Sequence, residues 1–142
     1  MEPTPKTTGG CLCGAVRYRV NGPMRPVVYC HCSQCRKTSG HFVAASACDN
    51  SDLQIIDDDG LHWYASSQHA ERGFCSVCGG NLFWRPTNGK YVSIMAGTID
   101  MPTRLKAIAH IFVGDASDYH AIADELPLYQ DGGSDELDGT KI

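Results

Sequence analysis

The stretch Cys30-His31-Cys32-Ser33-Gln34-Cys35, continued by Arg36-Lys37-Thr38-Ser39-Gly40, carries three cysteines in a C-x-C-x-x-C pattern. Core packing gives no reason for such crowding, because a cysteine used only as a small hydrophobe need not recur at short intervals. Binding one soft or borderline metal ion does give a reason, since thiolate ligands must all lie about 2.3 Å from a single centre. Structural zinc has four ligands, whereas catalytic zinc keeps one position open. Three clustered sulfurs without an obvious fourth partner therefore point to an open site. The rest of the chain reads as the scaffold that holds it.

Two further cysteine pairs flank this cluster. Gly9-Gly10-Cys11-Leu12-Cys13-Gly14 opens the fold with a C-x-C pair between glycines. On an extended strand residues i and i+2 share a face, so Cys11 and Cys13 can present two sulfurs to one ion. Arg72-Gly73-Phe74 leads into Cys75-Ser76-Val77-Cys78-Gly79-Gly80, a C-x-x-C-G knuckle. Two intervening residues let the backbone turn around an ion, and the glycine relieves the turn. A redox C-x-x-C would sit in a βαβ setting, which this strand-rich chain lacks.

Four ligands in two pairs make a closed structural site, so Cys11 and Cys13 are expected to join Cys75 and Cys78. Such a staple contributes on the order of 10 kcal/mol to folding. Cys30, Cys32 and Cys35 are left as a separate three-sulfur site. Cys48 or His31 is a candidate to close it. Cys48 also reads as a small buried side chain, and His31, lying between two ligands, is awkwardly placed to bind the same ion. An open or water-filled fourth position is the expectation.

The bulk properties agree with a metalloprotein. The chain has 142 residues and eight cysteines, at 11, 13, 30, 32, 35, 48, 75 and 78. That length suits one domain with a real core. Hydrophobic residues make up 42% and charged residues 20%, ordinary for a globular protein. Twelve Lys and Arg against sixteen Asp and Glu give a formal net charge of −4, which argues against a nucleic-acid binder. No apolar run approaches the ~18 residues of a membrane span. The polar start, with Pro3 and Pro5, lacks the apolar region of a secretory signal. A cytoplasmic location is expected, where metal binding explains cysteines better than disulfides do.

Periodicity predicts a mainly β fold. Val16, Tyr18 and Val20 alternate with Arg17 and Arg19 over 15–20. Further strands are expected over 41–48, 53–56, 61–66, 81–85, 91–96 and 107–113, separated by Gly-, Pro- and Asp-containing turns. Val27-Val28-Tyr29 leads into the central cluster. One helix is expected near the C-terminus, capped by Ser117, with Tyr119, Ile122, Ala123 and Leu126 on one face and Pro127 as its stop. Residues 1–8 read as a flexible N-terminus, 9–129 as the domain, and 130–142 as a disordered acidic tail.

The three ordered cysteine motifs, in Gly10–Gly14, Cys30–Gly40 and Arg72–Leu82, resemble those of the glutathione-dependent formaldehyde-activating enzyme family. Gly97-Thr98-Ile99-Asp100 and His110-Ile111-Phe112-Val113 resemble later segments of that family. The resemblance implies a single-domain zinc β-tent of short antiparallel strands. It implies a structural zinc on Cys11, Cys13, Cys75 and Cys78 and a catalytic zinc on Cys30, Cys32 and Cys35. It also implies a carbon–sulfur lyase reaction, in which glutathione adds to formaldehyde to give S-hydroxymethylglutathione. Related thiol chemistry on another small substrate keeps the same site. Arg36 and Lys37, beside the cluster, are candidates to attract the carboxylates of a glutathione-like ligand. The fold is shared with non-enzymatic zinc modules, among them centromere protein V, so a binding module is the alternative. No nucleic acid or membrane partner is expected, and the sequence leaves the oligomeric state open.

Overall fold

A computed structural model of the chain describes residues 6–133. The described residues contain ten strands, one α-helix and three short 3-10 helices. Three strands form a small antiparallel sheet in the order β1 (Thr7–Gly10), β2 (Arg17–Val20), β5 (Leu53–Asp57). Seven form a larger sheet. In chain order they are β3 (Val27–Cys30), β4 (Val43–Asp49), β6 (Leu61–Ala65), β7 (Ala70–Cys75), β8 (Asn81–Pro86), β9 (Tyr91–Met95) and β10 (Ala107–Ile111). Across the sheet they lie in the order β10-β3-β4-β9-β8-β7-β6.

The alternation read from the sequence sets the core. Tyr18 and Val20 of β2 are buried while Arg17 and Arg19 are half-exposed. With Val16 they pack against Cys48 of β4, Leu82 and Phe83 of β8, and Val92 and Ile94 of β9. Each large apolar side chain so buried stabilises by roughly 1.5–3 kcal/mol. Tyr18 meets Phe83 edge-on at 5.2 Å, and its hydroxyl lies 2.8 Å from Thr98 Oγ1, which satisfies the one polar atom it carries inward.

Because strand side chains alternate, the large sheet has a second face. Cys48, Val92 and Ile94 point to the core, so Val43, Ala45, Tyr91, Ser93 and Met95 point the other way. Val28 and Cys30 of β3 pair with Ala45 and Val43 of β4, and they join that second face. Arg72, Trp84 and Ser93 follow as register partners across β7, β8 and β9.

Two expectations are corrected. The helix is α1 (Ser33–Ser39), within the central cysteine cluster, and not near the C-terminus. Over 117–126 the chain is irregular, with no helix. A helix this short takes its stability from packing an apolar face. Here Tyr119 is exposed, and its hydroxyl donates to the Gly40 carbonyl instead. The strands are not all antiparallel, since β3 and β10 run parallel and set His110 beside Tyr29. Val27-Val28-Tyr29, which leads into the cluster, is a strand with Cys30 at its end.

Thr7 and Thr8 belong to β1, paired with Val20 and Arg19. At the other end the Phe112 amide donates to the Asp131 carbonyl at 2.9 Å. The rest of the expected tail, 134–142, lies outside the described residues, as do residues 1–5.

Candidate metal centre

Cys11, Cys13, Cys75 and Cys78 come together as expected, with their sulfurs all within 4.8 Å of one another. Cys11 and Cys13 sit in a turn, not on a strand: the Gly14 amide donates to the Cys11 carbonyl at 3.3 Å. Cys75 ends β7, and the Gly79 amide closes the second knuckle onto its carbonyl at 2.7 Å. Gly14 and Gly79, each just after a cysteine, have φ of 83° and 78°, a left-handed conformation that a side chain would strain. Gly60 is required for space, because a Cβ there would lie 2.7 Å from Cys75 Sγ.

Sulfur spacing tests whether the four residues fit a tetrahedral ion. With ligand bonds of about 2.3 Å, the edges of a tetrahedron of thiolates are about 3.8 Å. Cys11 Sγ to Cys13 Sγ is 3.7 Å, and Cys13 Sγ to Cys75 Sγ is 3.8 Å. Amides of Val16 and Cys78 point at Cys11 Sγ and Cys75 Sγ, at 3.3 and 3.5 Å. Such donors favour the thiolate form that a metal requires. Hydrogen bonds from the Cys13 and Gly80 backbone pull the Cys78 thiol down to about 6.

Cys30, Cys32 and Cys35 form the second cluster, again within 4.8 Å of one another. Cys30 ends β3, while Cys32 caps α1, its sulfur accepting from the Cys35 amide at 3.3 Å. Position i+3 on the helix returns Cys35 to the same side. Gly40 closes α1 in a left-handed conformation, its amide on the Arg36 carbonyl. Cys32 is drawn well below the ordinary thiol value by Cys30 and then Cys35, while Cys30 is driven up by Cys32 and then Cys35.

Neither candidate for a fourth ligand joins this cluster. Cys48 lies in the core between the sheets, fully buried, and burial pushes its thiol up to about 12. His31 turns its Nε2 to His110 Nδ1, 2.8 Å away. The three sulfurs instead face a cavity of about 440 Å³ on the second face of the large sheet. Its lining includes Arg25, Arg72 and Gln34 and, among the described residues, no carboxylate.

Arg36 and Lys37 lie outside that lining. Arg36 is half-exposed, with Nε donating to the Asp115 carbonyl at 3.3 Å, and Lys37 is exposed. The cavity's cations come from elsewhere. Arg25, in the loop before β3, is 4% exposed and donates to the Ala45 carbonyl at 2.9 Å. Arg72, on β7, is 7% exposed, with Nη2 3.7 Å from Cys35 Sγ. Sequence reasoning gave neither a role. The signal for Arg72 was its even position on β7, opposite Trp84.

A protein of Schizosaccharomyces pombe described as an uncharacterized lyase is 34% identical over 86 residues, covering 61% of this chain and 62% of the relative. A Halomonas elongata protein, provisionally named a glutathione-dependent formaldehyde-activating enzyme, is 32% identical over 106 residues, covering 65% and 64%. The chain thus spans under two thirds of the length of these relatives. The crystal structure of a Rhodobacter sphaeroides protein shares the fold, with a TM-score of 0.55 at 24% identity over 70% of this chain and 98% of that one. The family model for glutathione-dependent formaldehyde-activating enzymes matches residues 6–115, which hold both cysteine clusters, and the chain belongs to that family.

Proposed function

We propose that the chain is a zinc-dependent carbon–sulfur lyase that adds glutathione, or a related small thiol, to formaldehyde or another small aldehyde. The observation that carries this reading is a three-sulfur cluster opening onto a cavity with two buried arginines and no described carboxylate. In it Cys11, Cys13, Cys75 and Cys78 hold a structural zinc, and Cys30, Cys32 and Cys35 hold the catalytic one.

When bound at the three-sulfur site, zinc supplies the Lewis acidity that keeps an incoming thiol deprotonated near neutral pH. The protein does the rest by placement. Cys30, Cys32 and Cys35 fix one end of the cavity, and Val28, Val43, Ala45 and Met95 make its walls apolar. An apolar wall limits water, which competes with the thiol for the aldehyde. Arg25 and Arg72 give the cavity a positive field suited to a carboxylate-bearing thiol. In the reaction the thiol sulfur bonds to the carbonyl carbon. The carbon–oxygen π pair moves to oxygen, which takes the proton the thiol gave up. The reverse step cleaves the carbon–sulfur bond.

The test is exchange between free and glutathione-bound carbon-13 formaldehyde, followed by NMR. The reading requires faster exchange with the zinc-loaded protein than in buffer, and loss of that gain in Cys32→Ser. Exchange at the spontaneous rate overturns it. The second reading, a non-enzymatic zinc module, is favoured by Leu12 and Val77, which are 93% and 69% exposed at the tips of the two knuckles. No acceleration together with a fully exposed knuckle surface would bring that reading forward.

A further inference from the structure

Three thiolates and one divalent cation sum to a charge of −1, and a fourth thiolate from a substrate makes it −2. This inference rests on the reading of Cys30, Cys32 and Cys35 as a metal centre. Cys35 is buried and its two partners are half-buried, so such charge is poorly solvated and calls for a counter-charge.

Arg72 is built into that position. Its side chain is held in β7 beside Trp84, and it is 7% exposed. Nη2 lies 3.7 Å from Cys35 Sγ and 3.4 Å from Gln34 Oε1. Nε is buried with no hydrogen-bond partner. Among the described residues Arg72 makes no ion pair with a carboxylate, unlike Arg17 and Arg85, which pair with Asp100 and Glu71. A buried guanidinium without a carboxylate is costly unless something else carries the opposite charge. The sulfurs beside it are what does so. Gln34, directly before Cys35 on α1, accepts from the guanidinium on the cluster's own helix.

We propose that Arg72 is a positioning residue that acts as the standing counter-charge of the three-sulfur centre, so that the centre takes an anionic fourth ligand, a substrate thiolate, in preference to a neutral one. The ligand class follows from charge. Binding a thiolate adds a negative charge beside Arg72, whereas binding imidazole adds none, so only the first depends on the guanidinium.

The experiment loads the full chain with cobalt(II) and titrates 2-mercaptoethanol and, separately, imidazole, following the cobalt absorption bands. Arg72→Gln should weaken 2-mercaptoethanol binding at least about tenfold while imidazole binding changes less than about threefold. Arg72→Lys should recover part of the loss. Gln34→Ala, at an exposed helix position, should give a smaller loss of the same kind and guards against an Arg72 variant that does not fold. Equal thiol affinity in the wild type, Arg72→Gln and Gln34→Ala overturns the proposal. An equal loss for both ligands does so too, since it marks a merely structural role. If the wild type takes up one cobalt per chain and not two, the metal-centre reading itself fails, and the proposal falls with it.

Discussion

His31 Nε2 lies 2.8 Å from His110 Nδ1, in a buried contact between the cysteine loop and the parallel strand β10. His110 Nε2 in turn lies 2.8 Å from Asp124 Oδ2. A carboxylate only accepts, so His110 Nε2 donates to Asp124, and His31 Nε2 and His110 Nδ1 share one proton between them. The residue between Cys30 and Cys32 is thus tied to the scaffold and not to the cluster. The chain of three side chains fixes the loop that presents Cys30 and Cys32.

His110→Phe keeps a ring of similar size but removes the partner of His31 Nε2. That nitrogen is then buried without a hydrogen bond, which costs about 1–3 kcal/mol. Urea unfolding of the zinc-loaded protein should show that loss. Unchanged stability would mean that the contact contributes nothing to the fold.

The hydrogen bond from His110 holds the Asp124 carboxyl below the usual carboxylate range. A carboxyl lowered in the folded state contributes stability above its unfolded value, near ~4, and loses it as the pH falls through the folded value. Asp124→Asn removes this contribution. The stability gap between wild type and variant should therefore be full near neutral pH and close as the pH drops below about 4. Acid release of metal is common to both proteins and leaves the comparison intact. A gap independent of pH would contradict the assignment.

Cys48→Ala should leave the metal content unchanged, because Cys48 belongs to the core and not to either cluster. The lost sulfur should cost on the order of 1 kcal/mol, as for other small deletions in a core. With its thiol pushed up to about 12 by burial, Cys48 should also resist iodoacetamide in the native protein and react only on unfolding. Loss of one metal ion in this variant would make Cys48 a ligand.

The two clusters should respond differently to mutation. Cys78→Ser breaks a site that ties the loop after β1 to the end of β7, and it should unfold the protein or leave it insoluble. Cys32→Ser should lose the thiol chemistry while keeping a cooperative unfolding transition. Equal loss of folding in both would remove the division into structural and catalytic centres.

Much of this was legible in the sequence. The alternation in 15–20 gave the buried pair Tyr18 and Val20, and cysteine spacing grouped seven of the eight sulfurs as the structure does. What escaped had no local pattern. The cap of α1 is a cysteine, which belongs to no standard set of capping residues. Tyr119, Ile122, Ala123 and Leu126 mimic a helical stripe, but the segment is irregular, with Tyr119 laid on His41 and Gly40 and Asp124 placed on His110. Arg72 and Gln34 are 38 positions apart and meet only because β7 runs past α1. Arg36 and Lys37 are close to the cluster in sequence, yet helix geometry turns them from the cavity.

The central claim is two separate metal centres, one closed and one open to a thiol. Its most direct test is zinc per chain on freshly purified protein, with the rate of zinc loss to a colorimetric chelator measured in the presence and absence of glutathione. The account predicts two zinc ions per chain, one of which changes its rate of release when glutathione is added. A single tightly held zinc, unmoved by glutathione and by added metal, would contradict it.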